Sequence, residues 1–158
     1  MKNRILTYSF LIVTLLVFSR CQTIGLSSPK NTIETITYGT SFGHCVGINC
    51  NKTYTISKEE IAFTKRANGD ANDSLVTRAE IETEQWDNLI NAVSDARINN
   101  LPERIGCPDC ADGGSEWLEI NEQGKNRRIT FEYGQTPEEL KSVIKILKRL
   151  TEAFKEEN

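Results

Sequence analysis

No GxSxG and no HExxH motif occurs in this 158-residue sequence, and His44 is its only histidine. A serine nucleophile on a strand-to-helix elbow and a helical zinc-protease site are therefore excluded, and any imidazole acid–base chemistry would rest on one residue. Hydrolysis by a pair of carboxylates stays open, because an acidic domain offers Asp and Glu pairs by chance. There is no repeat of solenoid length and no low-complexity tract. There is also no apolar run of the roughly twenty residues that a spanning helix needs. Positive charge is scarce beyond residue 21, where 16 Lys and Arg face 22 Asp and Glu, a balance of −6. Such a surface repels phosphates, so nucleic acid is not an expected partner.

The first twenty residues differ from the rest. Lys2 and Arg4 form a positive start, and Ile5 to Phe18 (ILTYSFLIVTLLVF) is an apolar run of signal-peptide length. We read residues 1–20 as a signal peptide. The run ends at VFSRCQT, and a hydrophobic core closing within a few residues of a lone cysteine resembles the lipobox of bacterial lipoproteins. The resemblance implies that Cys21 becomes the lipidated first residue of the mature protein. Arg20 departs from the pattern, which usually places a small residue before the cysteine. Acyl chains bury hydrocarbon at about 0.8 kcal/mol per CH2, so more than one chain on Cys21 would hold the protein at a membrane. Residues 21–31, including SSPKN, then form a polar, proline-containing tether.

Residues 32–158 suffice for one domain with a modest core. Thr32 to Tyr38 is rich in β-branched residues and predicts a strand, and GTSFGHCVGINC, with its glycines, a loop. Lys52 to Ile56 and Ile61 to Lys65 alternate around SKEE as a hairpin, and Ser74 to Ile81 adds a strand. Trp86, Leu89, Ile90 and Val93 then recur at helical spacing, predicting a helix from near Thr83 that ends before Leu101 and Pro102. Glu116 to Asn121 and Arg127 to Tyr133 make a second hairpin, turning at EQGK. In TPEE, Thr136, Pro137 and Glu139 spell a capped helix start, and Leu140, Val143, Ile144, Leu147 and Phe154 form its apolar stripe. The order implies a single α+β domain, an antiparallel sheet of about five strands with two helices packed on one face. The stripes read as core, not as a cofactor box.

With Cys21 assigned to lipid, Cys45, Cys50, Cys107 and Cys110 remain. An even number in an exported domain argues for disulfides. Three pairings are possible. The local one, Cys45 with Cys50 and Cys107 with Cys110, requires no long-range assumption, whereas the crossed ones would staple the glycine-rich loop to the CPDC loop. Structural zinc on the same four thiolates is the alternative, since CPDC resembles a zinc-ribbon knuckle, with His44 able to replace one sulfur. It departs from that family in the x4 spacing of Cys45 and Cys50 and in Ala111, where glycine usually follows. Thioredoxin-like chemistry would need a helix N-terminus after CPDC, and ADGGSEWLEI reads instead as a turn and a strand. Asp109, Asp112 and Glu116 could offer oxygens to Ca2+, although their spacing is not that of an EF-hand.

The lipobox-like start, the cysteine-containing glycine-rich loop and CPDCADGG before a Trp-containing strand together resemble the small lipoproteins of Bacteroidota-type envelopes. The resemblance implies an exported protein of the cell envelope, membrane-anchored at the outer membrane or facing the periplasm. It implies no activity. The expectation is a non-catalytic lipoprotein without a cofactor that binds an envelope protein or ligand through its loops, with His44, Asp109, Asp112 and Glu116 as the candidate loop surface. The alternative is a zinc-binding or thiol-active extracytoplasmic domain using the four cysteines.

Overall fold

The structure is a computed structural model that describes residues 32–69 and 74–154. The signal peptide, Cys21 and the tether lie outside the described residues. Seven strands form one sheet: β1 (Ile33–Ser41), β2 (Asn51–Ile56), β3 (Glu60–Arg66), β4 (Ser74–Glu80), β5 (Arg104–Ile105), β6 (Ser115–Glu122) and β7 (Lys125–Glu132). Their order across the sheet is β4-β3-β2-β1-β6-β7-β5. Helix α1 (Thr83–Asp95) joins β4 to β5, the two edges, and α2 (Lys141–Leu150) follows β7.

This is an α+β domain, as the alternation of strand and helix patterns implies, but the sheet is larger than about five strands and is mixed. The difference at the edge is β5. It pairs parallel to β7 through Arg104 with Thr130 and Ile105 with Phe131. Two residues between Pro102 and Gly106 are too short to show any alternation. What places them is backbone pairing, with the Thr130 N–H donating to the Glu103 carbonyl at 2.8 Å.

One face of the sheet carries the core. Ile36 lies opposite Ile56 and Ile120, and Tyr38 opposite Tyr54 and Leu118, so successive registers place apolar side chains in rows on the same side. Against these rows pack Trp86, Leu89, Ile90 and Val93 of α1 and Val143, Ile144 and Leu147 of α2, in a single buried cluster. Both helices therefore sit on one face. The other face is polar and β-branched, with Thr35, Thr37, Thr53, Thr55 and Thr64 among its residues.

Three local features differ from the sequence reading. Strand β1 runs on through Gly39 and Thr40 to Ser41, because Trp117 of β6 lies over Gly39, where a Cβ would come within 2.3 Å of the indole. A glycine inside a strand here marks a close approach. The Thr136 cap is not made: Pro137 stays extended, Glu138–Leu140 form a 3-10 turn, and no side chain caps α2. The capping box is instead at α1, where the Glu82 N–H donates to Gln85 Oε1 at 3.0 Å and Glu82 returns a bond to the helix start. Helix α1 ends at Asp95, and Arg97, with φ 47°, turns the chain into the 3-10 turn Ile98–Asn100.

Candidate functional site

The sheet order determines which loops meet. Ser41 at the end of β1 is opposite Ser115 at the start of β6, so the loop leaving β1 and the loop entering β6 share one end of the domain. The first is the glycine-rich loop, residues 42–50; the second is the CPDC loop, residues 106–114.

The sulfurs pair within each loop. Cys45 and Cys50 lie at disulfide distance with Cα atoms 5.2 Å apart, and Cys107 and Cys110 with Cα atoms 5.5 Å apart, both within the normal bridging range. Of the three pairings, the structure adopts the local one. The crossed staple is replaced by weaker contacts between the loops.

Asn68 organises the glycine-rich loop. Its Nδ2 reaches the carbonyls of Phe42 and Gly43 at 2.9 Å and of Cys45 at 3.1 Å, and its Oδ1 accepts from Asn51 Nδ2 at 2.8 Å. The only sequence signal for this role was the turn-like ANG, which says nothing about a partner more than twenty residues away. The CPDC loop is shaped by backbone. Asp109, Ala111 and Asp112 have φ of 62°, 50° and 58°, a conformation that non-glycine residues seldom adopt. The turn is closed by the Asp109 N–H donating to the Gly114 carbonyl at 3.0 Å and the Cys107 N–H donating to Glu132 Oε1 at 2.7 Å.

Two polar contacts and one aromatic contact join the loops to each other and to the sheet. The Gly43 N–H donates to Asp109 Oδ1 at 3.4 Å, and His44 Nδ1 lies 2.7 Å from Asp112 Oδ1. Phe42 meets Tyr133 edge to face at 4.8 Å and crosses so close to Gly114 that a Cβ there would lie 2.4 Å from its ring. The hydrogen bond to Asp112 raises the His44 pKa above its ordinary value, helped by the charge of Asp112 and, less, of Asp109. Both members of the pair are exposed, His44 by 81% and Asp112 by 60%, so its worth is local order and not fold stability.

Three of the four residues expected on the loop surface are there: His44, Asp109 and Asp112 are exposed and adjacent. Glu116 is not. It sits in β6 on the core face, 2% exposed. Its carboxylate accepts from the Tyr38 hydroxyl at 2.9 Å and the Gly134 N–H at 3.1 Å, with Lys148 Nζ of α2 at 3.8 Å. Burial, followed by the neighbouring Glu116 charge, raises the Tyr38 phenol far above its ordinary range. Strand alternation would have revealed this, since Glu116 shares a face with Leu118 and Ile120.

With Glu116 turned inwards, the three carboxylates of the loop do not form a common Ca2+ cradle. Among the described residues no group of three or more His, Cys, Asp and Glu side chains converges as a metal site, and the four sulfurs lie as two local pairs, not as one tetrahedron. The CPDC loop leads through the turn Cys110–Asp112 into β6, so no helix N-terminus faces its sulfurs. What the loops do present is an apolar tip. Val46, within the ring closed by Cys45 and Cys50, is 97% exposed, and Tyr133 is 49% exposed beside Phe42. Known proteins add nothing to this picture: no family model matches the chain, and no curated protein resembles it significantly.

Proposed function

We propose that this protein is an exported, non-catalytic lipoprotein of the cell envelope, anchored through Cys21 and binding an envelope protein through its two cysteine loops. The observation that carries the reading is the placement of those loops relative to the anchor. The tether joins the domain at the start of β1, and the nine residues of β1 end at the glycine-rich loop. At about 3.3 Å per residue, the strand sets the loops about 26 Å from the point of attachment. An anchored domain would hold its disulfide-closed end away from the membrane, within reach of a partner.

The surface suits protein contact. A short ring with an apolar tip at Val46, aromatic support from Phe42 and Tyr133, and the polar rim of His44, Asp109 and Asp112 provide apolar centre and polar edge in one patch. Disulfides restrict both loops before binding, which reduces the ordering cost that a flexible loop would incur. Site-specific photo-crosslinking in cells tests the reading. A crosslinker at position 46 should give one discrete adduct, absent when the crosslinker is at Asp87 on the exposed side of α1. Adducts at 87 but none at 46 would refute it.

A further inference from the structure

The open face of the sheet holds a second feature, which does not depend on lipidation or on the loops. Register lines up Thr64, Thr53, Gly39, Trp117 and Thr130 as one row across five strands. The next row is Arg66, Asn51, Ser41 and Ser115. Because Gly39 has no side chain, the indole of Trp117 lies down over β1, and the rows dip between it and Arg66 into a cavity of about 610 Å3. That volume falls within the roughly 300–1,000 Å3 usual for ligand clefts.

The lining chemistry is one-sided. The hydroxyls of Thr53, Thr64, Ser115 and Thr130 face the cavity with two guanidinium groups, Arg66 and Arg128, and among the described residues no carboxylate lines it. This stands out in a domain whose balance is −6. The two nearest acids on this face are already engaged: Glu119 accepts from Arg128 Nε at 2.7 Å, and Glu132 accepts from the Cys107 N–H at 2.7 Å. Arg128 also stacks on Trp117, 4.0 Å from the ring, so the indole is held between β1 and a guanidinium. A hydroxyl both donates and accepts, which matches a polyol better than an apolar peptide, and a guanidinium recognises a carboxylate in its own plane.

We propose that this cavity binds a short acidic oligosaccharide, with Arg66 pairing a sugar carboxylate, the rows of Thr and Ser meeting ring hydroxyls, and the Trp117–Arg128 stack forming one wall. The probes are tetragalacturonic acid, the neutral tetramer maltotetraose, and inorganic phosphate, titrated into the full chain in detergent. Calorimetry and Trp117 emission, the latter checked against Trp117→Phe, report binding. Tetragalacturonic acid should bind at least tenfold more tightly than either control. Arg66→Gln should weaken it about tenfold or more, the usual effect of losing a charge-assisted hydrogen bond, with the melting temperature unchanged because Arg66 is exposed. Glu119→Gln, which releases Arg128, should strengthen it. Absence of binding, equal binding of the neutral tetramer, equal binding of phosphate, or indifference to Arg66→Gln would each overturn the assignment.

Discussion

Replacing Gly39 by alanine isolates the contact that shapes the open face. The backbone at Gly39 lies outside the left-handed region, so an alanine is conformationally acceptable there. Space is the obstacle. The new Cβ would lie 2.3 Å, 2.4 Å and 2.7 Å from three atoms of the Trp117 indole, a rigid group with Arg128 stacked on it. The indole must lift and break its stack, and overpacking of this kind costs about 1–3 kcal/mol. Without the indole the sign reverses, since alanine in a strand is favoured over glycine by roughly 0.5–1 kcal/mol. Gly39→Ala should therefore destabilise the parent by about 1–2 kcal/mol and stabilise a Trp117→Ala background by about 0.5 kcal/mol, a coupling of about 2 kcal/mol. Urea unfolding followed by far-UV circular dichroism measures all four corners of the cycle, and a red shift of tryptophan emission in the single variant reports the lifted ring. Equal effects of Gly39→Ala in both backgrounds would refute the reasoning.

Further outcomes follow from the buried carboxylate, the histidine and the bridges. Tyr38→Phe removes a donor to buried Glu116 and should cost about 1.5–3 kcal/mol in urea unfolding; a loss below about 0.5 kcal/mol would contradict the role given to that bond. Because folding raises the Tyr38 pKa, its contribution is complete below about pH 10, where the unfolded phenol titrates, and stability should fall as pH rises beyond it. His44 should titrate by NMR above about 6.5 and return towards that value in Asp112→Asn. Its contact with Asp112 is complete below the unfolded value and lost as pH rises through the raised one, so unchanged titration in Asp112→Asn would contradict the pairing. Changing both Cys45 and Cys50 to serine opens a short loop and should cost about 2 kcal/mol; a cost of about 4 kcal/mol would point to a long-range bridge.

Much of the fold was legible because alternation and helical spacing are local signals. The hairpins, the Trp86 to Val93 face of α1 and the Leu140 to Leu147 stripe of α2 were each readable from a dozen residues, and the core lies where those patterns converge. What escaped depends on partners distant in sequence. Strand β5 exists through pairing with β7, Gly39 belongs to β1 because of Trp117, and Asn68 holds a loop more than twenty residues before it. The Thr136 cap was legible but not used, since Pro137 remains extended and the helix proper starts at Lys141. At the candidate site, exposure of His44, Asp109 and Asp112 could be read from composition. Glu116 could not, because a carboxylate beside a polar loop looks solvated until Tyr38 is seen opposite it.

The account rests on an exported chain whose two loops are each closed by their own bridge beside a lipidated N-terminus. Mass spectrometry of the protein isolated from membranes of expressing cells tests this directly, as intact mass followed by non-reducing peptide mapping. The account predicts a chain starting at acylated Cys21, four hydrogens lighter than its reduced form, with Cys45 linked to Cys50 and Cys107 to Cys110. A chain that retains Met1 and carries free thiols at all four loop positions would contradict it.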